Sequence, residues 1–325
     1  MTKHISALFE AGPETVHWGY FDGRLPAIAT IESGDTIRVT TVSGNPDIVA
    51  ETPFQPAPAL LAIHEHVRKR TIPGHICTGP IAVRGAKAGE VLQIDIEDLE
   101  LTSNWGYAAV RPLTGGLPDD FDERRVTYVS IDQERAMGQL PWGMDLPLRP
   151  FLGVLAVAPP PAWGEIPTRP PRQNGGNLDN KELVPGSTLY LPIFVDGAQF
   201  SVGDGHAAQG DGEICNQAVE TDLAGVLTLT VRPDMHLTWP VAETPTHIIT
   251  MAFDPDLDDA VEIAIRQMIG LLGEHVGLDR YQAYTLLSFV GDLRVTQIVN
   301  GNKGIHLMVD KRYFNGKSLK RSSPT

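Results

Sequence analysis

Cysteine is nearly missing from this 325-residue chain, with Cys77 and Cys215 the only two. Two cysteines exclude a disulfide framework in a chain of this size and point to a reducing compartment. No Cys-x-x-Cys occurs, which excludes a thiolate zinc finger. Long apolar runs are missing too: none approaches the roughly 20 residues that a membrane-spanning helix needs. The stretch from Met1 to Trp18 carries His4, Glu10, Glu14 and His17 where a secretory leader would carry an apolar core. A cytoplasmic protein that does not span a membrane is expected. Positive charge is short, with 26 Lys and Arg against 40 Asp and Glu, a formal net charge of -14. So acidic a surface repels phosphate backbones, which argues against a nucleic-acid partner. Several catalytic templates fail as well. There is no His-Glu-x-x-His, no Walker-type Gly-Lys-Ser/Thr loop and no Gly-x-Ser-x-Gly elbow.

What the chain has is a good hydrophobic content, 42%, punctuated by 32 glycines and 26 prolines. That combination predicts many turns between short strands. Ala27 to Ile31 and Asp35 to Val42 are rich in β-branched residues and bracketed by Ser33-Gly34 and Ser43-Gly44-Asn45-Pro46. From Val91 to Glu97, Leu92, Ile94 and Ile96 alternate with Gln93, Asp95 and Glu97, the period-2 signature of a half-buried strand. The proline- and glycine-rich centre, Pro141 to Gly186, encloses the apolar run Phe151 to Ala158. It is read as a long loop over a β core, containing one buried strand. Towards the C-terminus the period changes. Asp254-Pro255-Asp256 offers an N-cap, with Pro255 suited to the first helical position. Val261, Ala264, Ile265, Met268, Leu271 and Leu272 follow as one helical stripe, ended at Gly273 or Gly277. A second helix is predicted over Asp279 to Phe289, then a strand over Leu293 to Val299. The fold class expected is mostly β, sandwich- or barrel-like, with a helical pair near the C-terminus and α+β overall. One compact domain over 1–325 is expected, with 1–150 and 151–325 as the alternative subdivision.

The chemistry is concentrated between Leu189 and Glu220. After a strand and the turn Asp196-Gly197 come Asp204, His206, Asp211 and Glu213, flanked or separated by Gly203, Gly205, Gly210 and Gly212. Residues two apart in extended chain point the same way, so Asp204 and His206 can converge on one ion. The glycines would let the backbone bend tightly around it. Two further candidates are His75, in a turn bounded by Gly74 and Gly79, and the pair Asn177 and Asp179 after Gly175-Gly176. Imidazole and carboxylate around an open position suit a hydrolytic divalent ion. Each segment also reads as an ordinary turn, and His75 alone as a hydrogen-bonded structural histidine. Cys215 lies close enough to be considered as a nucleophile, although an inert buried thiol is the commoner case.

Four stretches together resemble the acetamidase/formamidase family along nearly the whole chain. They are HWGYFDGRLPAIATIESGDTIRV (17–39), GHICTGPIAVRGAKAGEVLQIDI (74–96), GGNLDNKELVPGSTLYLPIFVDGAQFSVGDGHAAQGDGEICNQAVET (175–221) and YQAYTLLSFVGDLRVTQIV (281–299). The resemblance implies a mostly-β, oligomeric cytoplasmic enzyme with a divalent metal site and small aliphatic amides as substrates. On the family's polar motif positions fall His75, Asn177, Asp179, Asp204, His206, Asp211 and Glu213. The expectation is then a metal held by His75, Asp204 and His206, zinc on account of its imidazole ligands, with calcium the alternative. Glu213, with Asp179 second, would move protons, and Asn177 would orient the amide. The rivals are a metal-dependent hydrolase of a cyclic amide or imide, a thiol amidase using Cys215, and a non-catalytic calcium-binding β-sandwich that holds a sugar or peptide.

Overall fold

The computed structural model describes residues 4–319. Its body is two large sheets. The first runs, in spatial order, through Ala7–Phe9, Asp35–Thr41, Leu223–Arg232, Val91–Leu101, Thr188–Pro192, Val241–Glu243, His247–Asp254, Lys303–Asp310 and Asp292–Gln297. The second centres on Phe200–His206, flanked by Phe151–Ala156, by Ile76–Val83 and by the two-residue strand Glu220–Thr221. Their facing sides share one core. Ile37, Val39, Leu92, Ile94 and Ile96 from the first sheet meet Phe151, Leu152, Leu155, Phe200 and Val202 from the second. The alternation read from Leu92 to Glu97 is thus the alternation between core and outer face, and it fixes the strand's register.

The helical pair is where the apolar stripe put it. Helix α3 (Leu257–Val276) and helix α4 (Arg280–Val290) lie on the outer side of the first sheet. Ala264, Met268, Leu271 and Leu272 pack there with Ile248, Ala252, Ile305 and Leu307. The Asp256 carboxylate caps α3 by accepting from the Asp258 amide, so Pro255 stands before the cap and not at the first helical position. Gly277, at φ 83°, ends the helix in the left-handed region that a side chain resists. Asp279 opens α4 through a capping box with Gln282.

Two short helices lie in the first third, α1 (Pro46–Glu51) and α2 (Pro58–His66). Both begin at a proline that supplies the first helical φ. Each is too short for a helical stripe to stand out in sequence. The turn expected at Ser43 to Pro46 is the entrance to α1. The proline-rich centre does contain a buried strand, Phe151–Ala156, and continues as chain threaded over the core. It delivers Thr168, Arg169, Asn177 and Asp179 to one place beside Phe200–His206. Among the described residues no helix is long and apolar enough to cross a membrane.

Gly270 is exposed inside α3, and nothing lies within 4 Å of where its Cβ would be. Gly270→Ala therefore raises stability in urea unfolding by about 1 kcal/mol through helix propensity. Gly277→Ala lowers it by a similar amount, because its backbone is left-handed.

Candidate functional site

Asp204 and His206 belong to one strand, Phe200–His206, buried along its length. The glycines beside them, Gly203 and Gly205, have another task than bending around an ion. A Cβ on Gly203 would lie 2.4 Å from the Ile76 carbonyl oxygen, and one on Gly205 2.5 Å from that of Thr221. They let neighbouring strands close in on both sides. The sharp backbone belongs to Asp204 itself, at φ 60°. Its carboxylate Oδ2 lies 3.2 Å from His206 Nε2.

Four other segments reach the same spot. Antiparallel pairing sets Glu220 directly across from His206, with Oε2 3.3 Å from its Nε2. The strand Gly175–Asn177 pairs with Phe151–Ala156, and Asp179 follows in the left-handed region at φ 48°. Gly153 is the floor. Its carbonyl accepts from the amides of Leu178 (2.8 Å) and Asp179 (3.2 Å), clamping that loop. A Cβ on Gly153 would meet Asp204 Oδ2 at 2.6 Å, Asp179 Oδ1 at 2.7 Å and His206 Cε1 at 2.8 Å. Finally, the Asn300 amide nitrogen donates to Asp179 Oδ2 and, at 3.3 Å, to Glu213 Oε2, tying the two acids together.

Ligand-type atoms of Asp179, Asp204 and His206 all lie within 4.8 Å of one another. His75 Nε2 stands 3.7 Å from Asp204 Oδ2. Above the cluster is a cavity of about 160 Å³, walled by residues that include His75, Asn177, Glu213, Asn216, Arg169 and Tyr107. Of the polar positions singled out in the sequence, six meet here. Asp211 does not: it pairs with Lys181 at 3.1 Å and is exposed. The Cys215 thiol donates to the Gln217 carbonyl, and burial pushes it up, away from the thiolate a nucleophile needs.

The electrostatics follow from four buried carboxyls facing two imidazoles. Burial pushes Asp179 up to about 7, with Asp204 and Glu220 adding to the push. Glu213 is driven well above the carboxylate range by burial and then by Asp179. Glu220 is raised to about 7 by burial, against the pull of His206. Burial works the same way on Asp204, but His75 and His206 outweigh it and hold that carboxylate well below its ordinary value. His75 is lowered by burial despite Asp204.

Several buried atoms here make no hydrogen bond: Asp179 Oδ1, Asn177 Oδ1 and His206 Nδ1, while His206 Nε2 faces only the carboxylates of Asp204 and Glu220. Orphaned donors and acceptors are costly in a dry interior. An excess of carboxylate around them, over a glycine floor with no side chain to fill the space, fits a divalent cation.

The acetamidase/formamidase family model matches residues 11–169 and 162–237, more than half of the chain. The chain belongs to this family. It is 30% identical over 203 residues to an acetamidase of Mycolicibacterium smegmatis, covering 44% of this chain and 49% of that protein. It is 31% identical over 210 residues to a formamidase of Methylophilus methylotrophus, covering 48% and 51%. The matched region thus spans about half the length of these curated relatives. In three dimensions it is similar to the crystal structure of an acetamidase from Bacillus halodurans. The TM-score is 0.82 at 31% identity, covering 95% of this chain and 99% of that one. Within the family's fold, three components of the cluster escape sequence reading. Glu220 closes the central motif with no ligand-like spacing. Asn300 lies in an ordinary Asn-Gly turn, and Gly153 in an apolar run. Strand pairing brings Gly153 and Glu220 to His206, and the turn before Lys303–Asp310 brings Asn300 to Asp179 and Glu213.

Gly153→Ala forces a methyl group into this cluster and costs about 1–3 kcal/mol in urea unfolding, by overpacking. Gly210→Ala, in open space nearby, leaves stability unchanged within error.

Proposed function

We propose that this protein hydrolyses a small aliphatic amide, of formamide or acetamide size, to ammonia and a carboxylate, using a divalent cation. The observation that carries the reading is the confinement of paired acids beside metal-type ligands at the floor of a small cavity. Asp179, Asp204 and His206 would hold the cation, and zinc suits the imidazole better than calcium, which takes oxygen ligands. When bound, such an ion supplies Lewis acidity toward the carbonyl and toward water.

The rest is the work of side chains. An amide resists attack, and its nitrogen leaves only when protonated, so one group must take a proton from water and deliver it to nitrogen. Burial and the neighbouring Asp179 carboxyl favour the protonated form of Glu213, because like charges in a buried site cannot both ionise cheaply. Glu213 borders the cavity and serves as the shuttle, while Asn300 holds both carboxyls at a fixed angle. Asn177 presents an unsatisfied buried carbonyl, suited to accept a hydrogen bond from the amide NH₂. The raised thiol of Cys215 weighs against thiol catalysis. The two cysteines are both free, which accords with a cytoplasmic enzyme. Exposed Tyr281, Tyr284 and Phe289 on α4 offer a face for subunit contact, and we read the protein as a homo-oligomer.

The test is ammonia release from formamide, acetamide and propionamide. Wild-type protein releases ammonia, chelation stops it and a divalent ion restores it. Glu213→Gln lowers kcat about 10²–10⁴-fold, the usual contribution of a general acid–base, and keeps its metal. Folded, metal-loaded wild type that releases no ammonia from any of the three would refute the reading.

A further inference from the structure

Thr168 is fully buried, just past the short strand Ile166–Pro167, and its own amide is bonded to the Gly19 carbonyl. Its hydroxyl touches His75 twice. Oγ1 accepts from the His75 backbone amide at 3.1 Å and lies 3.0 Å from the His75 ring Nδ1. An amide is only a donor, so the first contact uses an oxygen lone pair and leaves the hydroxyl proton to be placed. Among the described residues, Nδ1 is the one acceptor that the hydroxyl meets. If Nδ1 carried a proton, two donors would face the one Oγ1 oxygen and the hydroxyl proton would be orphaned in a dry interior. That disfavours the arrangement by about tenfold to a hundredfold. The same count disfavours the doubly protonated ring.

We propose that Thr168 fixes His75 as the neutral Nε2–H tautomer, which makes His75 a hydrogen-bond donor to the carbonyl oxygen of the bound amide and not a ligand of the cation. His75 borders the cavity, and the carboxylate oxygen facing its Nε2, Asp204 Oδ2, is 3.7 Å away. That is too long for a good hydrogen bond, so the Nε2 proton is not committed before substrate arrives. As water adds to the carbonyl carbon, charge gathers on the oxygen, and a donor already in place needs no reorganisation to meet it. Thr168 acts through His75 and is a positioning residue. The inference rests on the amidase reading for the identity of the acceptor, but the tautomer and the ligand set can be measured without turnover.

The experiment is ¹⁵N NMR of histidine-labelled full-length protein, with His75→Gln assigning the ring, alongside metal content and kinetics of three variants. The expected spectrum has a non-protonated Nδ1 and a protonated Nε2. His75→Gln keeps its divalent ion and loses kcat about 10²–10³-fold, as for removal of one oxyanion donor. Thr168→Ser behaves as wild type, whereas Thr168→Val lowers kcat more than tenfold with KM little changed, consistent with lost positioning. A protonated Nδ1, loss of the ion from folded His75→Gln, or a Thr168→Val enzyme with wild-type kcat would each overturn the proposal. Should Thr168→Val fail to fold, the spectrum and the His75→Gln metal content decide it alone. Wild type that shows the expected tautomer yet releases no ammonia would instead strike the amidase reading.

Discussion

Four buried carboxyl groups share a dry space with two imidazoles, and the architecture around them is arranged to make that tolerable. Unpaired carboxylates in a low-dielectric interior cost several kcal/mol each, so they must bind protons, donors or a cation. All three forms of relief are provided for. Burial favours the protonated forms of Asp179 and Glu213, Asn300 donates to both, and ligand-type atoms of Asp179, Asp204 and His206 lie within 4.8 Å of one another, as an ion would need. Gly153 matters because it is the one floor position where a side chain would occupy that gap.

Backbone strain collects at the same place. Asp179, Asp204, Glu213 and Asn216 all take positive φ, between 46° and 67°, though none is glycine. Each such residue costs on the order of 1–3 kcal/mol and persists only where its surroundings dictate it. Here the surroundings are strands paired on both sides of Phe200–His206 and a core drawn from both sheets. The large apolar core and the small polar cluster are thus linked: burial in the former holds the latter in a conformation it would not choose.

How much of this was legible in sequence depended on the range of the interaction. Elements set by local pattern were readable: the alternation from Leu92 to Glu97, the stripe from Val261 to Leu272, a helix end at Gly273 or Gly277 (Gly277 in the structure) and a helix start at Asp279. So were six site residues, because they sit in short glycine-bounded motifs whose chemistry is local. Helices α1 and α2 were not, since six and nine residues do not establish a period. Glu220, Asn300, Gly153 and Thr168 were not either. Their importance comes from cross-strand register and from chain segments far apart in sequence, and neither has a local signature. The purpose of Gly203 and Gly205 was misread for the same reason: which backbone they admit is visible only when the neighbouring strands are in place.

The central claim is that this buried negative cluster is built to hold a divalent cation, and its most direct test is elemental analysis after dialysis. Wild type, Asp204→Asn and Asp179→Asn would be compared at equal folded concentration. The account predicts a divalent ion retained by wild type and lost from both variants. A folded wild type that retains none, even after exposure to zinc or calcium, would contradict it and leave the four carboxyls to be explained by protons alone.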